Sequence, residues 1–137
     1  MRLTHLLLIL SLFAVPIAHS ADDEKEKDEE EPPKVALYHE LSPSLVMNVQ
    51  GRARYMRCDV QLMTYDEEKL ANIVLHAPAL RHALLLLFSD QQGQDIKDNK
   101  GKEKLRKAAL KTVQEVMKKM TGDEAIVEFY FTAYFVE

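Results

Sequence analysis

The spacing of apolar positions changes along the chain, and each change marks an element. Residues 6–18 are largely apolar on all sides. Residues 21–34, ADDEKEKDEEEPPK, hold no apolar side chain after Ala21. Val35-Ala36-Leu37-Tyr38 and Leu45-Val46-Met47-Asn48-Val49 read as extended, parted by Leu41-Ser42-Pro43. Pro43 has no N–H, so this first strand is interrupted or lies on an edge. Gln50-Gly51 signals a turn. From Ala53 to Tyr65 the pattern alternates: Met56, Cys58, Val60 and Leu62 against Tyr55, Arg57, Asp59 and Gln61. That is a strand with one wet face, paired with its predecessor as a hairpin.

Helical spacing follows. Asp66-Glu67-Glu68 offers a cap and two acids to free helix N–H groups, and Leu70, Ile73 and Val74 continue one face. Pro78 suits the first turn of a second helix. Its stripe of Leu80, Ala83, Leu84, Leu87 and Phe88, widened by Leu85-Leu86, predicts burial on more than one side. Residues 90–101 are polar and read as a loop or one short helical turn. Leu105, Ala109, Val113, Val116, Met117 and Met120 then share a face, with Lys104, Lys107, Lys111 and Lys118 mostly away from it, and Gly122 ends the helix. Ile126–Val136 is rich in β-branched and aromatic residues and predicts a long strand. Strict alternation puts Val127, Phe129, Phe131, Ala133 and Phe135 on its inner face. The fold class expected is α+β, an antiparallel sheet covered by helices, in the order ββ-αα-α-β.

Charge divides the chain more sharply than its total of −4 suggests. Residues 22–31 hold eight acids against two lysines, whereas residues 32–137 hold 15 basic and 14 acidic side chains. A near-neutral domain argues against non-specific nucleic-acid binding. The acidic run predicts a disordered linker, with Pro32-Pro33 marking the domain boundary. Ahead of it, Arg2 precedes a 13-residue apolar run, Leu6–Ala18. As a helix that run reaches about 20 Å, against a hydrocarbon core of ~30 Å, and Pro16 disrupts it. Ala18-His19-Ser20 sets small residues before a cut between Ser20 and Ala21, so residues 1–20 read as a secretory signal peptide. The alternative is an uncut signal anchor in the inner membrane. The expected organisation is residues 1–20 signal, 21–34 acidic linker and 35–137 domain.

Catalytic chemistry is not legible. Cys58 is the one cysteine, which rules out an intrachain disulfide, and its place in the alternation makes it an apolar filler. The histidines stand at 5, 19, 39, 76 and 82; His76 and His82 flank a proline without metal-ligand spacing. A glycine-rich phosphate loop and a nucleophile elbow are both missing. Asp66, Glu67 and Glu68 are explained as a helix start, and the lysine face of the last helix reads as solvated, diluted by Glu103 and Glu115. The expectation is a non-enzymatic protein with no catalytic, cofactor-binding or metal residues and no cofactor.

Several stretches together resemble the periplasmic domain of the flagellar basal body-associated FliL family, over roughly Tyr38 to Glu137. They are Tyr38-x-x-Leu41-x-Pro43 leading to Val46-x-Asn48-Val49; Arg54-Tyr55-Met56-Arg57-Cys58-Asp59-Val60-Gln61-Leu62; Ala77-Pro78-Ala79-Leu80-Arg81-His82-Ala83-Leu84-Leu85; Gly101-Lys102-Glu103-Lys104-Leu105-Arg106; and the closing Val127–Val136. The resemblance implies a stomatin-type (SPFH-like) domain in the periplasm, associated with the inner membrane and basal body. It implies contacts with the periplasmic region of the flagellar stator, a homo-oligomer or ring, and support of torque, motility and chemotaxis. The chain differs from the family pattern in its short apolar run and in Gln114, where many members carry Asn. An exported carrier or assembly factor unrelated to flagella is the alternative; the partner interface is not readable from the sequence.

Overall fold

One strand borders all the others. In this computed structural model, which describes residues 32–137, four strands form an antiparallel sheet: β1 (Leu37–Glu40), β2 (Leu45–Asn48), β3 (Tyr55–Thr64) and β4 (Glu128–Val136). β1 and β2 lie end to end along one side of β3, and β4 lies along the other. The apolar run, the cut between Ser20 and Ala21 and the acidic segment as far as Glu31 lie outside the described residues. The break at Pro43 and the hairpin through Gly51 are as the sequence indicates. The break is held from above: the Arg81 guanidinium donates to the carbonyls of Leu41, at 2.8 Å, and Pro43.

Three helices cover one face of the sheet: α1 (Glu67–Leu75), α2 (Ala77–Ser89) and α3 (Asn99–Thr121). The Asp66 carboxylate caps α1 by accepting from the Lys69 N–H at 3.0 Å, and Pro78 sits in the first turn of α2. Gly122, at φ +83°, terminates α3 in the left-handed conformation that glycine adopts at little cost. Met56, Cys58, Val60 and Leu62 are fully buried beneath Ile73, Leu80, Leu84 and Phe88 and beneath Leu105, Ala109, Val113 and Met117 of α3. This is the α+β arrangement expected.

Four expectations need correction. The apolar stripe of α2 is wide, with Leu80, Leu84 and Phe88 buried and Leu85 and Leu87 half-buried against the core, but it leaves out Leu86, which is 60% exposed. Val74, on α1, and Met120, in the last turn of α3, are each 50% exposed. α3 starts at Asn99, capped by Asp98, which accepts from the Gly101 N–H at 2.7 Å; the polar loop is therefore shorter than the sequence suggests. The fourth concerns β4. Val60 pairs with Phe131 but Asp59 pairs with Ala133, so Thr132 is an extra residue, a β-bulge that reverses the alternation. Phe129 and Phe131 face the helices as expected. Beyond the bulge Tyr134 and Val136 turn inward, opposite Cys58 and Met56, and Ala133 and Phe135 turn out. Val127 precedes the strand and is exposed; the buried Ala125 and Ile126 take the corner instead.

Candidate interaction surface

Because helices cover one face, the other face of the sheet is open, and its side chains follow from the register. Tyr38 and Tyr130 flank β3, their ring centroids 6.3 Å apart, over the buried Met63; the Tyr130 hydroxyl lies 3.9 Å from the Met63 sulfur. At the other end Tyr55 and Phe135 meet edge to face at 6.4 Å, beside Val46. Asp59 lies between the two groups, opposite Ala133, and its Oδ1 is buried with no hydrogen-bond partner among the described residues. Apolar rings with one leg in water, arranged around a polar gap, are suited to contact with another surface.

β4 forms one edge of this face, as β1 and β2 form the other, and is bonded to β3 alone among the described strands. Its start is covered by α3. Arg106 donates to Glu128 at 2.9 Å and to the Phe129 carbonyl at 3.2 Å, and the Gln114 amide donates to the Ile126 carbonyl at 2.8 Å. Farther along, Tyr134 donates its hydroxyl to the Ile96 carbonyl and carries Lys102 over its ring at 5.1 Å. Residues 129–136 carry no charge, and the bulge is their main protection against pairing with another strand. A hollow of about 430 Å³ bounded by Tyr55, Arg57, Ala133, Tyr134 and Phe135 wraps this edge.

The titratable groups are engaged in structure. A hydrogen bond from Arg106 holds Glu103 below the usual carboxylate range. The Ala125 N–H and the Lys69 ammonium, 3.0 Å away, do the same for Asp123. Asp123 borders a hollow of about 240 Å³ that also touches Asp66 and Glu68, but Asp66 is spent on the cap. Burial pushes the Cys58 thiol up to about 12, with the Asp59 charge adding to it. A thiol so disfavoured as thiolate is a packing residue. Burial likewise pushes the Tyr134 hydroxyl up to about 12. His76 joins α1 to α2 by its backbone, its N–H donating to the Asn72 carbonyl and its own carbonyl accepting from the Leu80 N–H, and among the described residues no three His, Cys, Asp or Glu side chains group to hold a metal.

The sequence indicated the packing role of Cys58 and the capping role of Asp66. It did not indicate the open face as such, the orphaned Asp59 oxygen, or the ties made by Arg81 and Arg106. Arg81 had a signal, a guanidinium set beside His82 within the otherwise apolar run 77–88. Arg106 had none beyond its i,i+3 spacing from Glu103.

Residues 38–136 match the family model described as "Flagellar basal body-associated protein FliL". The chain is also similar to the flagellar protein FliL of Aquifex aeolicus (strain VF5), 24% identical over 108 residues. That alignment covers 77% of this chain and 65% of the relative, so the chain spans just under two thirds of the relative's length.

Proposed function

The chain belongs to the FliL family of flagellar basal body-associated proteins, and from that premise we propose that it is a non-enzymatic accessory of the flagellar motor. In this reading the domain stands on the periplasmic side of the inner membrane and touches the periplasmic part of the stator and further copies of itself. A homo-oligomer or ring of stomatin-type domains around the stator supports torque, and through it motility and chemotaxis. The observation that carries the reading is the family match, which runs from β1 to the end of β4 without a break. The aromatic open face and the uncharged β4 edge supply surfaces of the kind that such contacts use. Residues 1–20 then act as a signal or as an anchor, and the acidic segment as a spacer.

The test is a deletion strain scored for swimming in viscous medium and for torque on tethered cells, with a tagged full-length protein imaged in flagellated cells. Foci at flagellar bases and reduced torque under load are expected. Normal motility under high load, with diffuse envelope signal, would remove this reading and leave the exported carrier.

A further inference from the structure

The helix layer has a second feature, on the side away from the sheet. At 100° per residue, Lys100, Lys104, Lys107, Lys111 and Lys118 of α3 fall within about 60° of one another, opposite the buried Leu105, Ala109, Val113 and Met117. All but Lys100 and Lys104 lie beyond the first two turns, and the row is about 27 Å long at 1.5 Å per residue. Its acid partners are few and distant: Lys111 lies 4.0 Å from Glu115 and Lys118 3.8 Å from Glu124, while Glu103 is held by Arg106. No ion pair joins Lys100, Lys104 or Lys107 to a carboxylate among the described residues. The row works against its own helix. Lysines three and four apart repel, and cations in the first turn oppose the helix dipole, where α3 has no acidic residue.

We propose that this face of α3 is an electrostatic docking surface for the anionic headgroups of a phospholipid bilayer. Charge complementarity selects an anionic partner, and the form of the row selects a lipid surface. The neighbours of the lysines on that arc are Glu103, which also acts on Lys107, and Ala108, Gln114 and Glu115, with no aromatic or large aliphatic side chain to anchor a protein partner. Mobile headgroups arrange themselves around a straight row of ammonium groups and need no pocket. Adsorption is peripheral, because the apolar face of α3 is committed to the core and no single described helix is long and apolar enough to cross a membrane. The motor reading enters only by supplying a nearby membrane. The acid run at 22–31 is repelled by the same lipids, so the whole chain must be tested.

The experiment is flotation of the full-length protein with vesicles of phosphatidylcholine alone or with 30 mol% phosphatidylglycerol, at low and at 0.5 M salt. Binding through residues 1–20 is common to both lipids, and the readout is the preference for the anionic vesicles. Adsorbed lysines contribute about fivefold each. A Lys104→Gln/Lys107→Gln/Lys111→Gln variant is expected to lose about a hundredfold of that preference, and 0.5 M salt to remove it in the parent. The three side chains are exposed, and an unchanged circular dichroism melt verifies folding; Lys→Arg at the same positions keeps the preference. Equal binding to both lipids, or an anionic preference that survives the triple substitution, overturns the proposal. Equal binding together with loss of flagellar foci in the triple variant also overturns it, and assigns the row to an acidic protein segment. Loss of the motor phenotype in the deletion strain has no bearing on the vesicle result, so the two readings fail separately.

Discussion

The bulge at Thr132 can be tested by comparing two phenylalanines six residues apart. Strict alternation makes Phe129 and Phe135 equivalent; the bulge buries Phe129 completely and leaves Phe135 50% exposed. Phe129→Ala removes a ring that is 0% exposed and stacked edge-on against Phe131 at 5.1 Å. The transfer of the ring is worth about 2–3 kcal/mol, the aromatic pair about 1 kcal/mol, and with the cavity left behind the loss reaches about 3–5 kcal/mol. Phe135→Ala gives up a ring already half in water and an edge contact with Tyr55, so about 1 kcal/mol or less is expected. Phe131, half-buried between Phe88 and Tyr134, falls in between. Urea melts followed by far-UV circular dichroism suit a chain without tryptophan. With a slope of about 1–3 kcal/mol per M, the Phe129→Ala midpoint drops by at least ~1 M. Equal losses at 129 and 135 would refute the bulge, and a loss below about 1 kcal/mol at Phe129 would refute the inner face itself.

Other outcomes follow from single sites. Gly101→Ala raises helix propensity by about 1 kcal/mol in isolation, yet a Cβ there would lie 1.7 Å from the Asp95 carbonyl oxygen; a net loss of about 1–3 kcal/mol is expected, and a stabilised variant in the same melt would contradict the close approach. The Cys58 thiol, buried and pushed up to about 12, should resist thiol reagents at pH 8 until urea is added; rapid stoichiometric labelling of native protein would place it at the surface. Glu103 and Asp123 both titrate below their ordinary values of 4.5 and 3.8 when folded. Their contribution is therefore complete above about pH 4.5 and declines as pH falls through the lower folded values. A Glu103→Gln/Asp123→Asn variant should show a flatter acid limb in the stability–pH curve, and an unchanged limb would assign acid lability to other groups.

How legible the fold was depended on whether one rule governed a segment. β3 obeys period two from Tyr55 to Leu62, and the inner side chains Met56, Cys58, Val60 and Leu62 could be named in advance; only at its end, Met63-Thr64, are successive side chains buried. α3 obeys its helical period, so its buried face was correct, except in the last turn, where the helix runs past the core and Met120 meets water. β4 failed locally because both parities of Tyr130–Phe135 are aromatic or small, which leaves the pattern unable to reveal an inserted residue. α2 failed at Leu86 for a related reason. A run of four leucines gives no direction, and the neighbours that decide it, α3 and β2, are distant in sequence. The open sheet face was invisible because a wet strand face reads the same whether solvent or a partner covers it. Arg81 and Arg106 act on carbonyls 40 and 23 positions away, a relation that no local spacing encodes.

The place of β3 in the sheet has a bearing on how the protein is made. Its neighbour on one side, β2, is joined to it by a short turn, but its neighbour on the other begins only at Glu128, after all three helices. The Glu137 carbonyl accepts from the N–H groups of Arg54 and Tyr55, at 2.8 and 3.0 Å, and completes that pairing. Until residues 128–136 arrive, the inner face of β3 lacks Phe129 and Phe131, and α3 lacks the strand to which Arg106 binds. A chain whose last strand has not yet been made would thus hold hairpins and helices without a closed core.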